Sequence, residues 1–124
     1  MGGISMRVSE EKEKYLNLYF EHICFLGELE ISAVKQMAQS KGQGAEYASC
    51  SFDPMDEDYK EGYVTLLFWK PADDEDTMIF IENSMFYERL LEVCKSHIIK
   101  KPNHKELIDG YLNQIKKSLN IRKH

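Results

Sequence analysis

The spacing of apolar residues changes twice along the chain, and the changes divide it into thirds. In the first third Tyr15, Leu18, Tyr19, His22 and Ile23 fall on one helical face, and Phe25 and Leu26 continue the apolar run. Ser9 stands where a helix cap belongs. Glu10, Glu11 and Glu13 suit the positive end of the helix dipole. Gly27 is expected to end or bend this helix. A second helix is predicted to turn Leu29, Ala33, Val34 and Met37 inward, and SKGQG (residues 40–44) has the composition of a loop.

The middle third switches to short runs rich in β-branched and aromatic residues: AEYASCSF (45–52), GYVTLLFW (62–69) and TMIFI (77–81). The second run alternates. Val64, Leu66 and Phe68 share one face, which reads as pure core; Tyr63, Thr65, Leu67 and Trp69 share the other. A face that mixes aromatics with a hydroxyl is expected to be partly covered, by a helix or by a partner. KPADDED (70–76) reads as a hairpin loop, with Pro71 stopping the strand.

The last third is helical again. Asn83 or Ser84 opens a helix with Phe86, Leu90, Cys94, His97 and Ile98 on its inward side. Pro102 breaks it, because proline cannot continue the hydrogen-bond ladder. Asn103 and Glu106 match a capping box for a final helix striped by Leu107, Ile108, Tyr111, Leu112, Ile115 and Leu119. Lys116 and Lys117 sit at its negative end. The expected fold is therefore α+β, a small antiparallel sheet of about three strands packed by N-terminal and C-terminal helices. The 124 residues make a single domain. Residues 1–8 are expected to be disordered or extraneous to it, Met6 being a second candidate start, and 120–124 to be a flexible tail.

Composition narrows the class. With 43% hydrophobic and 30% charged residues the chain is globular, not disordered. It has no apolar run long enough to span a bilayer, and MGGISMRVSEEKEK turns charged too early for a secretory signal. The three cysteines, Cys24, Cys50 and Cys94, are odd in number and far apart in sequence. That argues against a disulfide framework and for a reducing compartment, with buried, inert thiols.

Charge is unevenly placed. Residues 46–76 carry ten acids against two lysines, and residues 95–124 carry eight Lys/Arg against two acids. The acids concentrate in SFDPMDEDYKEG (51–62) and DDED (73–76). Neither Asp53 nor Asp56 begins a workable calcium loop, since Met55 and Lys60 occupy required ligand positions. His22 and Cys24, two apart on a helix, face different sides, so no zinc pair forms. The carboxylates lie in turns, where solvent keeps their pKa values ordinary and denies them acid/base work. No phosphate loop or nucleophile elbow is present, and the acidic middle would repel nucleic acid. His22 and His97 read as hydrogen-bonded core histidines, and His104 as an exposed one. No catalytic residue, cofactor or metal is expected, and neither is direct binding to nucleic acid or membrane.

Two readings of the acids remain: solvated turns, or a docking surface for a basic protein. In the second, Asp53, Asp56, Glu57, Asp58, Glu61, Asp73, Asp74, Glu75 and Asp76 steer a partner, and Tyr59, Tyr63 and Trp69 anchor it. The two acidic loops flank one strand and are expected at neighbouring edges of one sheet.

The FDP-acidic-Y-EG turn at 52–62, the strand after it, FYERLLEVC at 86–94 and the break at Lys101 and Pro102 together resemble the CdiI immunity proteins of bacterial contact-dependent growth inhibition. The similarity is to ribonuclease toxin immunity proteins and spans residues 47–119. It implies a cytoplasmic, non-catalytic protein that binds the C-terminal nuclease domain of a cognate toxin in a one-to-one complex. Such a protein blocks the active site or the substrate surface. The basic C-terminal region departs from a purely acidic mimic. The alternative is a small ligand-binding or regulatory subunit domain, which a pocket lined by His22 and His97 would favour.

Overall fold

The computed structural model describes residues 2–25, 28–45, 47–70 and 76–121, with side chains from residue 11 onward apart from that of Phe25. Helix α1 runs over Gly2–His22, so Ser9 lies inside it and not at its cap. The helix stops before Cys24, where Cys24–Phe25 (β1) and Glu28–Leu29 (β2) form a small antiparallel pair. Phe25 therefore does not extend α1, and Leu29 belongs to β2 and not to the second helix. Gly27, expected to end α1, lies outside the described residues. Helix α2, Ile31–Ser40, buries Ala33, Val34, Met37 and Ala38. Lys41 closes it in the left-handed region (φ 57°), its N–H donating to the Met37 carbonyl.

The main sheet has four strands and not three. Strands β3 (Gly42–Gly44), β4 (Ala48–Ser51), β5 (Tyr63–Phe68) and β6 (Thr77–Glu82) are antiparallel in the order β3-β4-β5-β6. The extra strand β3 comes from the glycine-rich stretch that reads as a loop. Gly42 pairs with Ser51, and a Cβ at Gly42 would stand 2.8 Å from the Cys50 carbonyl oxygen. Glycine is thus what lets β3 approach β4.

Helix α3, Asn83–Lys100, leaves directly from β6. A 3-10 turn at Pro102–His104 separates it from α4, Lys105–Ser118. The expected capping box does not form. Asn103 lies in the turn, and His104 occupies the cap position of α4 without a side-chain cap bond. Leu107 is exposed, while Ile108, Leu112, Ile115 and Leu119 are buried as the helical stripe requires. Helices α1 and α3 pack on one face of the sheet. Its residues Ala48, Cys50, Val64, Leu66, Phe68 and Ile81 are closed in with Tyr19, Phe20 and Phe86. Tyr19 is fully buried, and its hydroxyl donates to Gln43 Oε1 at 2.6 Å, with Cys50 Sγ 3.1 Å away. That contact ties α1 to β3 and β4 and satisfies a polar atom deep in the core.

Candidate functional site

The β5–β6 register fixes the second face of the sheet. Tyr63 pairs with Glu82, Thr65 with Phe80 and Leu67 with Met78, so these six side chains share the face opposite the helical layer. Ser49 and Ser51 join them from β4. Tyr63, Leu67 and Phe80 are half-buried there, and Met78 is 46% exposed. Thr65 is the exception at 2%. Its hydroxyl donates to the Asp58 carbonyl at 3.1 Å, because the acidic turn between β4 and β5 folds back over the sheet at that point.

The turn builds itself from its own acids. Asp53 Oδ1 accepts the Met55 N–H at 2.9 Å, and Asp56 Oδ1 accepts the Asp58 N–H at 3.0 Å. The Asp58 N–H, with the Ser51 hydroxyl, holds the Asp56 carboxyl below the usual carboxylate range. Gly62, at φ 88°, takes a conformation that an L side chain rarely adopts and delivers the chain into β5. Asp53 and Asp56 are thus turn formers, while Glu57 and Glu61 are exposed and Tyr59 is 38% exposed.

Lys60 arches over the face. Its Nζ lies 4.6 Å from the Tyr63 ring centroid and 5.1 Å from that of Phe80, and the two rings meet nearly edge to face. Lys12 of α1 reaches the same corner, pairing with Glu82 at 2.7 Å and holding its carboxyl below the usual range.

The acidic turn before β5 and Asp76, just before β6, lie at opposite ends of β5 and not at neighbouring edges. An antiparallel strand receives one connection at each end, and β5 spans roughly 20 Å at ~3.4 Å per residue. The face between them is what they frame. At the far end Trp69, Leu67, Met78 and exposed Asp76 surround a hollow of about 390 Å³. Asp73, Asp74 and Glu75 lie outside the described residues. The structure therefore groups Asp53, Asp56, Glu57, Asp58, Tyr59 and Glu61 in one turn, Tyr63 beside it, and Trp69 with Asp76 across the sheet. Sequence reasoning put Leu67 on this mixed face without naming it as a contact, and it missed Met78 and Phe80 as surface. Their alternation in TMIFI and TLLF was the available signal, but only the register shows that they converge.

The thiols show no activation. Burial pushes Cys50 and Cys94 each up to about 12 and raises Cys24. Among the described residues no three His, Cys, Asp or Glu side chains gather as metal ligands. His97 is buried and hydrogen-bonded at 3.0 Å to His104, which is half-buried and not exposed as expected. A hollow of about 230 Å³ between β2 and α3 is lined by Cys24, Glu28 and His97, but not by His22. No helix of the described chain is long and apolar enough to cross a membrane.

Comparison with known proteins adds one finding. A family model described as CDI immunity protein matches residues 12–112, from the middle of α1 to the third turn of α4. No curated protein and no solved structure matches.

Proposed function

The chain belongs to the CDI immunity protein family, and we propose that the toxin it answers is a nuclease. In this reading it binds the C-terminal RNase domain of a cognate contact-dependent growth inhibition toxin, one to one, in the cytoplasm. It then covers the active site or the substrate surface and works by occupation alone, with no bond made or broken.

The observation that carries the reading is the outer sheet face. Tyr63, Leu67, Phe80 and Met78 lie half-open on a rigid four-stranded scaffold, framed by carboxylates at both ends. Aromatic and apolar side chains in the centre, with charges at the rim, are the anatomy of a tight protein interface. A domain that handles RNA presents basic surface, so exposed Glu57, Glu61 and Asp76 would speed its capture. In sequence, Asp73, Asp74 and Glu75 directly precede Asp76 and continue its acidic run.

The ligand-binding alternative needs a pocket shared by His22 and His97. The hollow at His97 does not include His22, which favours the interface reading.

The test is co-expression with the reading frame immediately upstream, followed by pull-down. A one-to-one complex with a basic C-terminal fragment, whose RNase activity is silent until the complex is dissociated, supports the proposal. An upstream fragment that is harmless to cells and does not co-purify contradicts it.

A further inference from the structure

The main sheet has two edges, and they differ. Strand β3 is three residues long and lies against α2, which blunts it. Strand β6 runs unbulged for six residues, TMIFIE, with no lysine, proline or glycine to discourage pairing. Two hydrogen bonds fix which of its backbone groups face outward. The Asn83 N–H donates to the Gly62 carbonyl at 3.0 Å, and the Trp69 N–H to that of Tyr47 at 3.2 Å. Bonded and non-bonded pairs alternate in an antiparallel ladder, and both bonds give the same phase. Ile79 and Ile81 therefore bond to β5, while Met78, Phe80 and Glu82 point their N–H and C=O groups out of the sheet. A hollow of about 320 Å³ follows this edge. Met78 and Phe80 line it from the open face and Ile79 from the sealed one, so it straddles the strand.

Charge is arranged head to tail along β6. Two cations stand at its Glu82 end. Lys12 pairs with Glu82, but Lys60 makes no salt bridge among the described residues and rests on the Tyr63 and Phe80 rings. At the Thr77 end the exposed Asp76 carboxylate precedes the strand. An edge that is positive at one end and negative at the other matches itself when turned end for end.

We infer that β6 is a dimerisation edge: a second copy of this chain pairs its own β6 to it, antiparallel, about a two-fold axis at Phe80. In that register Phe80 meets Phe80, Met78 meets Glu82, and the Asp76 of each copy comes to the Lys60 of the other. Sliding the pair by two residues either sets Asp76 opposite Glu82, like against like, or carries Met78 past the strand end onto α3. The dimer joins two four-stranded sheets into one and leaves both open faces side by side. A single strand pair buries less than about 1,200 Å², so the dimer is weak, half formed near about 100 μM chain. The inference goes beyond the function proposed above and does not rest on it, since it needs no toxin.

The test is sedimentation equilibrium of the full chain from about 20 to about 500 μM, which should show a monomer passing into a dimer. Amide exchange by NMR reads the edge in the same samples. Ile79 and Ile81 should be slow throughout. Met78 and Phe80 should be open in the dilute sample and about threefold slower in the concentrated one, because only the monomer exchanges there. Asp76→Lys and Lys60→Glu, both at exposed side chains, should each weaken association about tenfold, and the double variant should regain most of it by restoring opposite charges. A chain that is monomeric throughout, a dimer in which Met78 and Phe80 stay open, or a double variant no better than the single ones would each overturn the inference. Edge amides that close only when the upstream toxin fragment is added would overturn it too, and would give the edge to the toxin.

Discussion

Strand β5 has two faces, and they do different things. Val64, Leu66 and Phe68 are all but sealed beneath α1 and α3. Tyr63 and Leu67, one residue out of phase, are half-exposed beside Phe80 and Met78. Both faces are rich in apolar atoms. Among the described residues the first is sealed by α1 and α3, whereas α1 reaches only one corner of the second, where Lys12 lies over Tyr63 and pairs with Glu82. In the function proposed above, the difference separates stability from recognition within one strand: the sealed face is core, and the half-open face is the area offered to the partner. Thr65 marks the boundary, since it is buried on the open face only where the acidic turn covers it.

The sharpest way to break this comparison is to truncate each face in turn. Leu66→Ala on the sealed face should cost about 2–5 kcal/mol of unfolding free energy in urea, the usual range for a buried leucine. Leu67→Ala on the open face should cost under about 1 kcal/mol. Equal losses would mean that both faces are core. Next in size is the electrostatic rim. Replacing Glu57, Glu61 and Asp76 together by lysine should slow association with the toxin domain by about tenfold at low salt and flatten its salt dependence, while leaving the urea midpoint nearly unchanged. Stopped-flow fluorescence at several salt concentrations reads both.

A smaller effect comes from His97. Burial lowers its pKa first, and the neighbouring His104, Lys101 and Lys100 lower it further, against an opposing pull from Glu28. The folded state therefore binds fewer protons than the unfolded one in this range. The contribution is fully present above the unfolded pKa of about 6.5 and is lost as pH falls below it toward the folded value. The urea midpoint should drop between about pH 7 and about pH 5, and the part due to this group should vanish in His97→Gln. A midpoint that rises on acidification would reverse the assignment. Smallest is the Lys12–Glu82 pair, whose side chains are 26% and 48% exposed. Lys12→Ala should cost no more than about 1 kcal/mol, as solvent-screened pairs do.

How much of this was legible beforehand depends on the range of the interactions. The alternation in β5 announced both of its faces, and the stripe of α4 announced its buried side, because both signals are local. Strand β3 was invisible because glycines carry no pattern; what makes them a strand is the close approach to Cys50. The short pair β1–β2 offered too few residues to show a period. Asp53 and Asp56 were legible as acids but not as the residues that fold their own turn. The convergence of Leu67 with Met78 needed the register. The meeting of Asn83 with Leu119, and of His97 with His104 across a proline break, needed the packing of helices that local sequence does not encode.

The central claim is that the outer sheet face is reserved for a partner. Met78→Asp tests it most directly, since Met78 is the most open apolar residue of that face. The variant should unfold at the wild-type urea midpoint and lose binding to the upstream toxin domain in calorimetry. Wild-type affinity in a variant that folds normally would place the interface elsewhere and contradict the account.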